Sequence, residues 1–201
     1  MTPHPNMVWF QGVVENRNDP LELGRVKIRC LGYHTSDKSS LPTDDLPWAT
    51  PVQPITSAAM NGIGTTPIGP VEGTWVVGFF RDGERFQSPV YFGTLAGIPQ
   101  TTANPEQGFN DPSGVYPLEE FVGEPDTNRL ARGVEEGTIV AAKKNNIDEA
   151  EVPDGEGRTL KLEEPQSEYA AQYPFNKVKM TESGHIEEWD DTPGAERISR
   201  S

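Results

Sequence analysis

The sequence predicts an all-β chain whose first half closes into a small barrel. Three observations carry this expectation. Gly 20 and Pro 19 in 201 residues supply turns at a density that suits short strands and disfavours helical bundles. Five short runs rich in β-branched and aromatic residues fall before residue 95. One of them, Arg25–Leu31 (RVKIRCL), alternates strictly with period two.

Taken in order, Val8–Glu15 (VWFQGVVE) is the first strand. Asn16–Gly24 turns the chain, with Asp19-Pro20 to start it and Gly24 to end it. In Arg25–Leu31, Arg25, Lys27 and Arg29 face one way and Val26, Ile28 and Cys30 the other. The basic set is expected to form a solvated outer face balanced by Glu15, Glu22 and other acids. Gly32–Pro47 is a polar loop. Trp48–Gln53 is a shorter strand that Pro51 and Pro54 place at a sheet edge or bulge. Thr74–Phe80 and Pro89–Thr94 are the last two, joined through Arg81-Asp82-Gly83-Glu84, whose Asp-Gly pair favours a hairpin. Five antiparallel strands with one long connection after the third suit a small closed barrel, and the OB-fold is the five-stranded case. Closure removes edges that a small β domain must otherwise protect.

The long connection, PITSAAMNGIGTTPIGPVEG, is punctuated by Gly62, Gly64, Gly69, Gly73, Pro67 and Pro70 for a set backbone path. A loop this long in a compact domain is functional or packed against something. Its uncharged run Ile55–Ile68 either meets another protein or folds over the open end of its own barrel.

Beyond residue 95 the pattern weakens. Residues 96–134 lack sustained periodicity, and Phe109, Tyr116 and Phe121 are the groups able to anchor this segment to the barrel or to a neighbour. Gly133–Glu168 reads as an extended acidic linker unable to bury a core, with Thr138–Lys144 as a short strand or helical turn. Strands return at Asn176–Thr181, His185–Trp189 and Glu196–Ser199, the last two joined by Asp190–Ala195. A lone hairpin is marginal in water, so these strands need edges from elsewhere. The expected division is 1–99 barrel, 100–168 wrapping segment and linker, 169–201 terminal strands.

The net charge is −14, and its distribution matters more than its size. Residues 1–99 hold seven basic and nine acidic residues, residues 100–201 ten and 22. An acidic half and no basic groove interleaved with aromatics argue against a nucleic-acid partner. Cys30 is the one cysteine, so no intrachain disulfide forms, and its alternation with Val26 and Ile28 predicts a core thiol. His4, His34 and His185 are too far apart in sequence for a zinc site. No phosphate loop or nucleophile elbow occurs. No cofactor, metal or catalytic residue is therefore expected. The N-terminus shows no signal-peptide pattern, and no window has the apolar length of a membrane helix.

Three runs, WFQGVVENRNDPLELGRVKIRCLGYH, LPTDDLPWATPVQPITSAAMNGIGTTPIGPVEGTWVVGFF and FNDPSGVYP, resemble the N-terminal barrel of the central spike proteins of T-even-type contractile phage tails. The terminal YPFNKVKMTESGHIEEWDDTPGAERI resembles the start of that family's triple-stranded β-helix, and is similar to a motif in the spike proteins of type VI secretion. The matches cover most of residues 8–121 and 173–198.

The resemblance implies a homotrimer on the tail axis, assembled in the host cytoplasm into the virion baseplate. Its barrels sit beneath a trimeric hub protein, and an intertwined β-helix, with a tip protein possible, meets the host outer membrane mechanically. It also implies a lysozyme domain between barrel and β-helix. Only about residues 122–172 separate the two matched parts here, too short for such a domain, so that enzyme and the long β-helix are expected to be missing. The expected function is a structural spike component linking hub to needle. The alternatives are an OB-fold binder of single-stranded nucleic acid and a truncated peptidoglycan hydrolase spike. Candidate interface residues are Ile55, Met60, Ile63 and Ile68 in the loop, Phe109, Tyr116 and Phe121 in the irregular segment, and Ile186, Trp189 and Ile198 in the terminal strands.

Overall fold

A computed structural model describes residues 7–124, 127–133, 150–153, 159–162 and 169–201. The chain forms two compact units, Met1–Gly123 and Glu124–Ser201. Five strands build the first: β1 (Val8–Asn16), β2 (Val26–Cys30), β3 (Trp48–Pro51), β4 (Trp75–Phe80) and β5 (Pro89–Thr94). They close into a barrel in the order β1-β2-β3-β5-β4.

The barrel is mixed, not wholly antiparallel as the sequence suggested. Every neighbouring pair is antiparallel except β3 and β5, which run parallel through Thr50↔Val90 and Pro51↔Tyr91. Parity explains it: strand directions cannot alternate all the way round a closed ring with an odd number of members. The same closure corrects the reading of β3 as an edge. β3 has a partner on both sides. Its single proline, Pro51, is the last residue of the strand and Pro54 lies beyond it, while the ladder continues through Val52 N–H donating to Tyr91 O at 2.8 Å.

Phe10, Val14, Val26, Ile28, Cys30, Ala49, Val76, Phe80 and Tyr91 form the core. Gly12 and Gly78 lie on the inward rows, where the barrel is too narrow for a side chain. A Cβ on Gly78 would meet the Val90 carbonyl and stand 2.6 Å from Phe10 Cζ. Cys30 is buried as its alternation predicts, and burial pushes its thiol pKa up to about 12.

The connections have their own logic. The Asp19 carboxylate organises the β1–β2 turn by accepting from Leu21 N (3.0 Å), Leu23 N (2.9 Å), Arg25 N (3.2 Å) and the Arg25 guanidinium (2.6 Å). Bound first by Arg25, that carboxyl sits well below its ordinary pKa. The β4–β5 connection is an eight-residue loop with a short 3-10 turn at Gly83–Arg85, wider than a two-residue hairpin. The Asp82 side chain closes it by accepting from Gln87 N and Ser88 N at 3.0 and 3.2 Å.

The second unit is built on a three-stranded antiparallel sheet in the order β10-β9-β8. It comprises β8 (Asn176–Met180), β9 (Ile186–Asp190) and β10 (Arg197–Arg200). These are the three terminal strands the sequence predicts. Two features were not anticipated. A one-turn helix, α1 (Asn128–Ala131), buries Arg129, Leu130 and Ala131, and one turn is too short to show helical periodicity. Within the stretch read as linker, β6 (Ala150–Pro153) and β7 (Thr159–Leu162) pair antiparallel. Thr138–Lys144 lies outside the described residues.

Candidate protein-interaction site

The outward row of β2 corrects the expectation of a solvated basic face. Arg29 is wholly buried and Lys27 nearly so. The row does alternate with the core residues, but a second layer of chain covers it. Arg29 pairs with Glu15 on the adjacent strand at 2.6 Å, both side chains fully buried. Each Glu15 oxygen takes two donors: Oε1 from Arg29 Nε (2.6 Å) and Phe109 N (2.8 Å), Oε2 from Arg29 Nη2 (3.0 Å) and Thr43 Oγ1 (2.8 Å). Arg29 also donates to the carbonyls of Thr35 (2.6 Å) and Leu41 (2.8 Å). A buried ion pair persists only when its remaining lone pairs and protons are satisfied, and here the backbone of two distant loops satisfies them.

This pair pins residues 104–116 to the barrel. Gly108 N donates to Ser36 O (2.8 Å), and Lys38 Nζ to Pro105 O (2.7 Å). A Cβ on Gly108 would stand 2.6 Å from Arg29 Cδ, so only glycine lets the segment lie over the guanidinium. Asp111, fully buried, accepts from Ser113 N, Val115 N and Tyr116 N at 2.8–2.9 Å and turns the chain back. Phe109 and Tyr116 sit half-buried along this path and Phe121 just beyond it. Phe109 adopts φ 65°, a strained setting for an aromatic residue that the Glu15 contact helps to hold.

The loop between β3 and β4 resolves one choice left open above. Ile55 and Met60 are fully exposed, and Ile63 and Ile68 about three-quarters so. The loop therefore does not fold its apolar side chains over its own barrel. Its backbone is nonetheless fixed: Ala58 N donates to Ile63 O at 2.7 Å, a 3-10 turn spans Ala59–Asn61, and Gly62 and Gly64 take positive φ. Four uncharged apolar groups thus stand on a structured protrusion. An exposed patch of this kind marks an interaction site.

The terminal sheet has two unlike faces. One is covered: Ile186 packs with Leu130 and Tyr169, supported by Ala171, Val178 and Met180. Beside them the buried Glu188 carboxylate accepts from Asn176 Nδ2 (2.7 Å), Ser199 Oγ (3.0 Å) and Arg197 Nη2 (3.2 Å). Arg197 stacks over Tyr169 at 4.2 Å, and burial pushes the Tyr169 phenol up to about 12. On the other face Lys177, Trp189 and Ile198 stand in one cross-strand row, with Lys179, Glu187 and Arg200 in the next. Ile198 is mostly exposed and Trp189 half-buried under Lys179. The structure therefore groups Trp189 and Ile198 on an open face and places Ile186 in the chain's own core. The Glu15–Arg29 anchor and the Glu188 cluster were not singled out as sites. Their partners lie on separate segments, which no local pattern links.

Among the described residues no group of His, Cys, Asp and Glu is arranged to hold a metal ion. No described helix is long and apolar enough to cross a membrane.

A closed five-stranded barrel with a structured uncharged loop, followed by a one-sided sheet, defines an OB-domain chain. This chain belongs to the Gp5 N-terminal OB domain family, which it matches over residues 32–174. It is 46% identical to Protein Gp5 of Vibrio phage KVP40, covering 94% of this chain and 52% of that protein. It is 45% identical to the pre-baseplate central spike protein Gp5 of Enterobacteria phage T4, covering 74% of this chain and 27% of that one. The chain thus spans about half the length of the first relative and about a quarter of the second.

Proposed function

We propose that this chain is a structural component of a contractile-tail central spike, located in the virion baseplate. The observation that carries the reading is its 45% identity to a pre-baseplate central spike protein, in a chain that joins a closed barrel to a sheet with one open face. In this reading the chain is a homotrimer. Residues 1–99 dock to a trimeric hub, residues 100–168 wrap and link, and residues 169–201 open an intertwined β-helix. Threefold repetition lets one chain make each contact three times around a single axis.

The role is mechanical. Sheath contraction drives a stiff axial needle, and the barrel transmits thrust from hub to needle into the host envelope. The wrapping of residues 104–116 over a buried ion pair supports this, because it ties loop segments to the barrel with several charge-assisted hydrogen bonds. No catalytic residue is assigned, and the family match describes an OB domain.

The test is mass in solution by light scattering, with and without a candidate hub protein. A trimer that gains mass with the hub is the expected result. Met60→Asp with Ile63→Asp is expected to weaken hub or trimer assembly and leave the barrel's circular dichroism unchanged. A stable monomer that clears purified peptidoglycan would sink the reading.

A further inference from the structure

Two uncharged apolar surfaces lie on the first unit, and they occupy opposite ends of the barrel. One is the loop tip with Ile55, Met60, Ile63 and Ile68. The loop enters β4 where β1 finishes, as Val13↔Trp75 and Gly73 N donating to Val14 O at 2.8 Å show. The other is an open groove at the end where β1 begins, lined by Trp9, Gln11, Leu31, Tyr33 and Val77. Trp9, more than half exposed, forms its wall and stacks edge-on to Phe92 at 5.7 Å and against Phe79 at 5.8 Å. One surface protrudes and the other is concave. Since they lie at opposite ends, one barrel cannot bring its own two together.

We propose that the loop tip of one copy seats in the aromatic groove of the next copy, a head-to-tail contact repeated around a ring. This rests on the trimeric assembly proposed above and names the surfaces that make it. Three considerations favour a second copy of this chain as the occupant. Residues 1–99, seven basic and nine acidic, carry only −2 of the chain's −14, so barrels of two copies approach with little repulsion. Neither surface has a charged residue: none falls between Pro54 and Val71, and none lines the groove. Four side chains so exposed present on the order of 500 Å² of apolar area, as large as the biggest patch a monomer ordinarily leaves open. With flanking backbone this approaches the roughly 800 Å² per partner of a stable interface. A ring with heterologous contacts needs two unlike, complementary patches per protomer, and these two meet that description.

Disulfide trapping of the full chain tests it, with light scattering on the same samples. Met60→Cys and Gln11→Cys place thiols on exposed positions of the two surfaces, and the buried Cys30 stays silent. The double variant is expected to be trimeric and to oxidise to a covalent trimer on a non-reducing gel, while each single variant stays uncrosslinked. Met60→Asp is expected to weaken association at least tenfold, and adding Trp9→Ala to weaken it little further. A trimeric mass with no cross-link in the double variant would overturn the contact and leave the assembly intact. Dimers from Met60→Cys alone would replace it with a symmetric loop–loop contact. A monomeric mass at micromolar concentration would remove the assembly itself.

Discussion

Replacing Glu15 by Gln tests the claim that one buried carboxylate holds the wrapping segment. The change is nearly isosteric, so it leaves no cavity. It does replace an oxygen that accepts two hydrogen bonds with an amide nitrogen that can accept none. Whichever way the amide turns, two donors lose their acceptor: Arg29 Nε and Phe109 N on one side, or Arg29 Nη2 and Thr43 Oγ1 on the other. The guanidinium also stays buried without a counter-charge. Breaking a buried pair from one side costs about 3–5 kcal/mol. The amide still accepts from the remaining donors, which places this substitution near the lower end, about 3 kcal/mol. With a urea m-value of roughly 2 kcal/mol/M, the unfolding midpoint followed by tryptophan fluorescence should fall by about 1.5 M. Amide exchange at Gly108 and Phe109 should accelerate more than exchange in β4. Removing both partners, Glu15→Leu with Arg29→Met, should recover only part of the loss. The Thr35 and Leu41 carbonyls and the Phe109 amide would each forfeit a partner, at about 1 kcal/mol apiece. A midpoint shift below about 0.3 M for Glu15→Gln would refute the reasoning.

Further outcomes follow from the same geometry. The Cys30 thiol, raised to about 12 by burial, should not react with a disulfide reagent in the native protein and should react stoichiometrically in denaturant. His34 is held neutral, its pKa lowered from 6.5 by burial and by Arg29, while its Nδ1 accepts from Cys30 N at 2.9 Å. The unfolded chain therefore takes up a proton that the folded one resists, and stability should fall as pH drops below about 6.5. His34→Asn, which keeps an acceptor, should flatten that limb of the stability–pH curve. Asp19, depressed chiefly by Arg25, contributes stability present above the ordinary carboxylate value of 3.8 and lost as pH falls toward its lower folded value. Asp19→Asn should remove that acid limb. Gly78→Ala, which drives a methyl into the Val90 carbonyl and Phe10, should cost about 2–3 kcal/mol, read as a lower urea midpoint with an unchanged slope.

Much of the barrel was legible because its signals are local. Period-two alternation, turn residues at fixed offsets and a single long connection need only neighbouring residues to be read, and all five strands lie where those signals put them. What covers the barrel was not legible. Arg29 looks the same in sequence whether water or residue 108 lies over it. The segment that decides the matter comes nearly eighty positions later and has no periodicity of its own. The candidate interface divided the same way. The uncharged run around Met60 announces an apolar surface, and the structure leaves it exposed. Ile186 and Trp189 lie three apart on β9 and so on opposite faces, with Ile198 pairing to Trp189 from β10; which face is closed is decided by α1 and Tyr169, whose side chains pack on Ile186. Neither cover carried a pattern that pointed to β9.

The parallel seam between β3 and β5 has a consequence for load. It is held by two residue pairs, whereas β1 and β4 share six. The exposed loop departs directly from this seam, since Val52 still bonds to Tyr91. Tension applied to whatever grips the loop is delivered first to β3, a stave held by only two residue pairs on either side, and the cask would open along that stave.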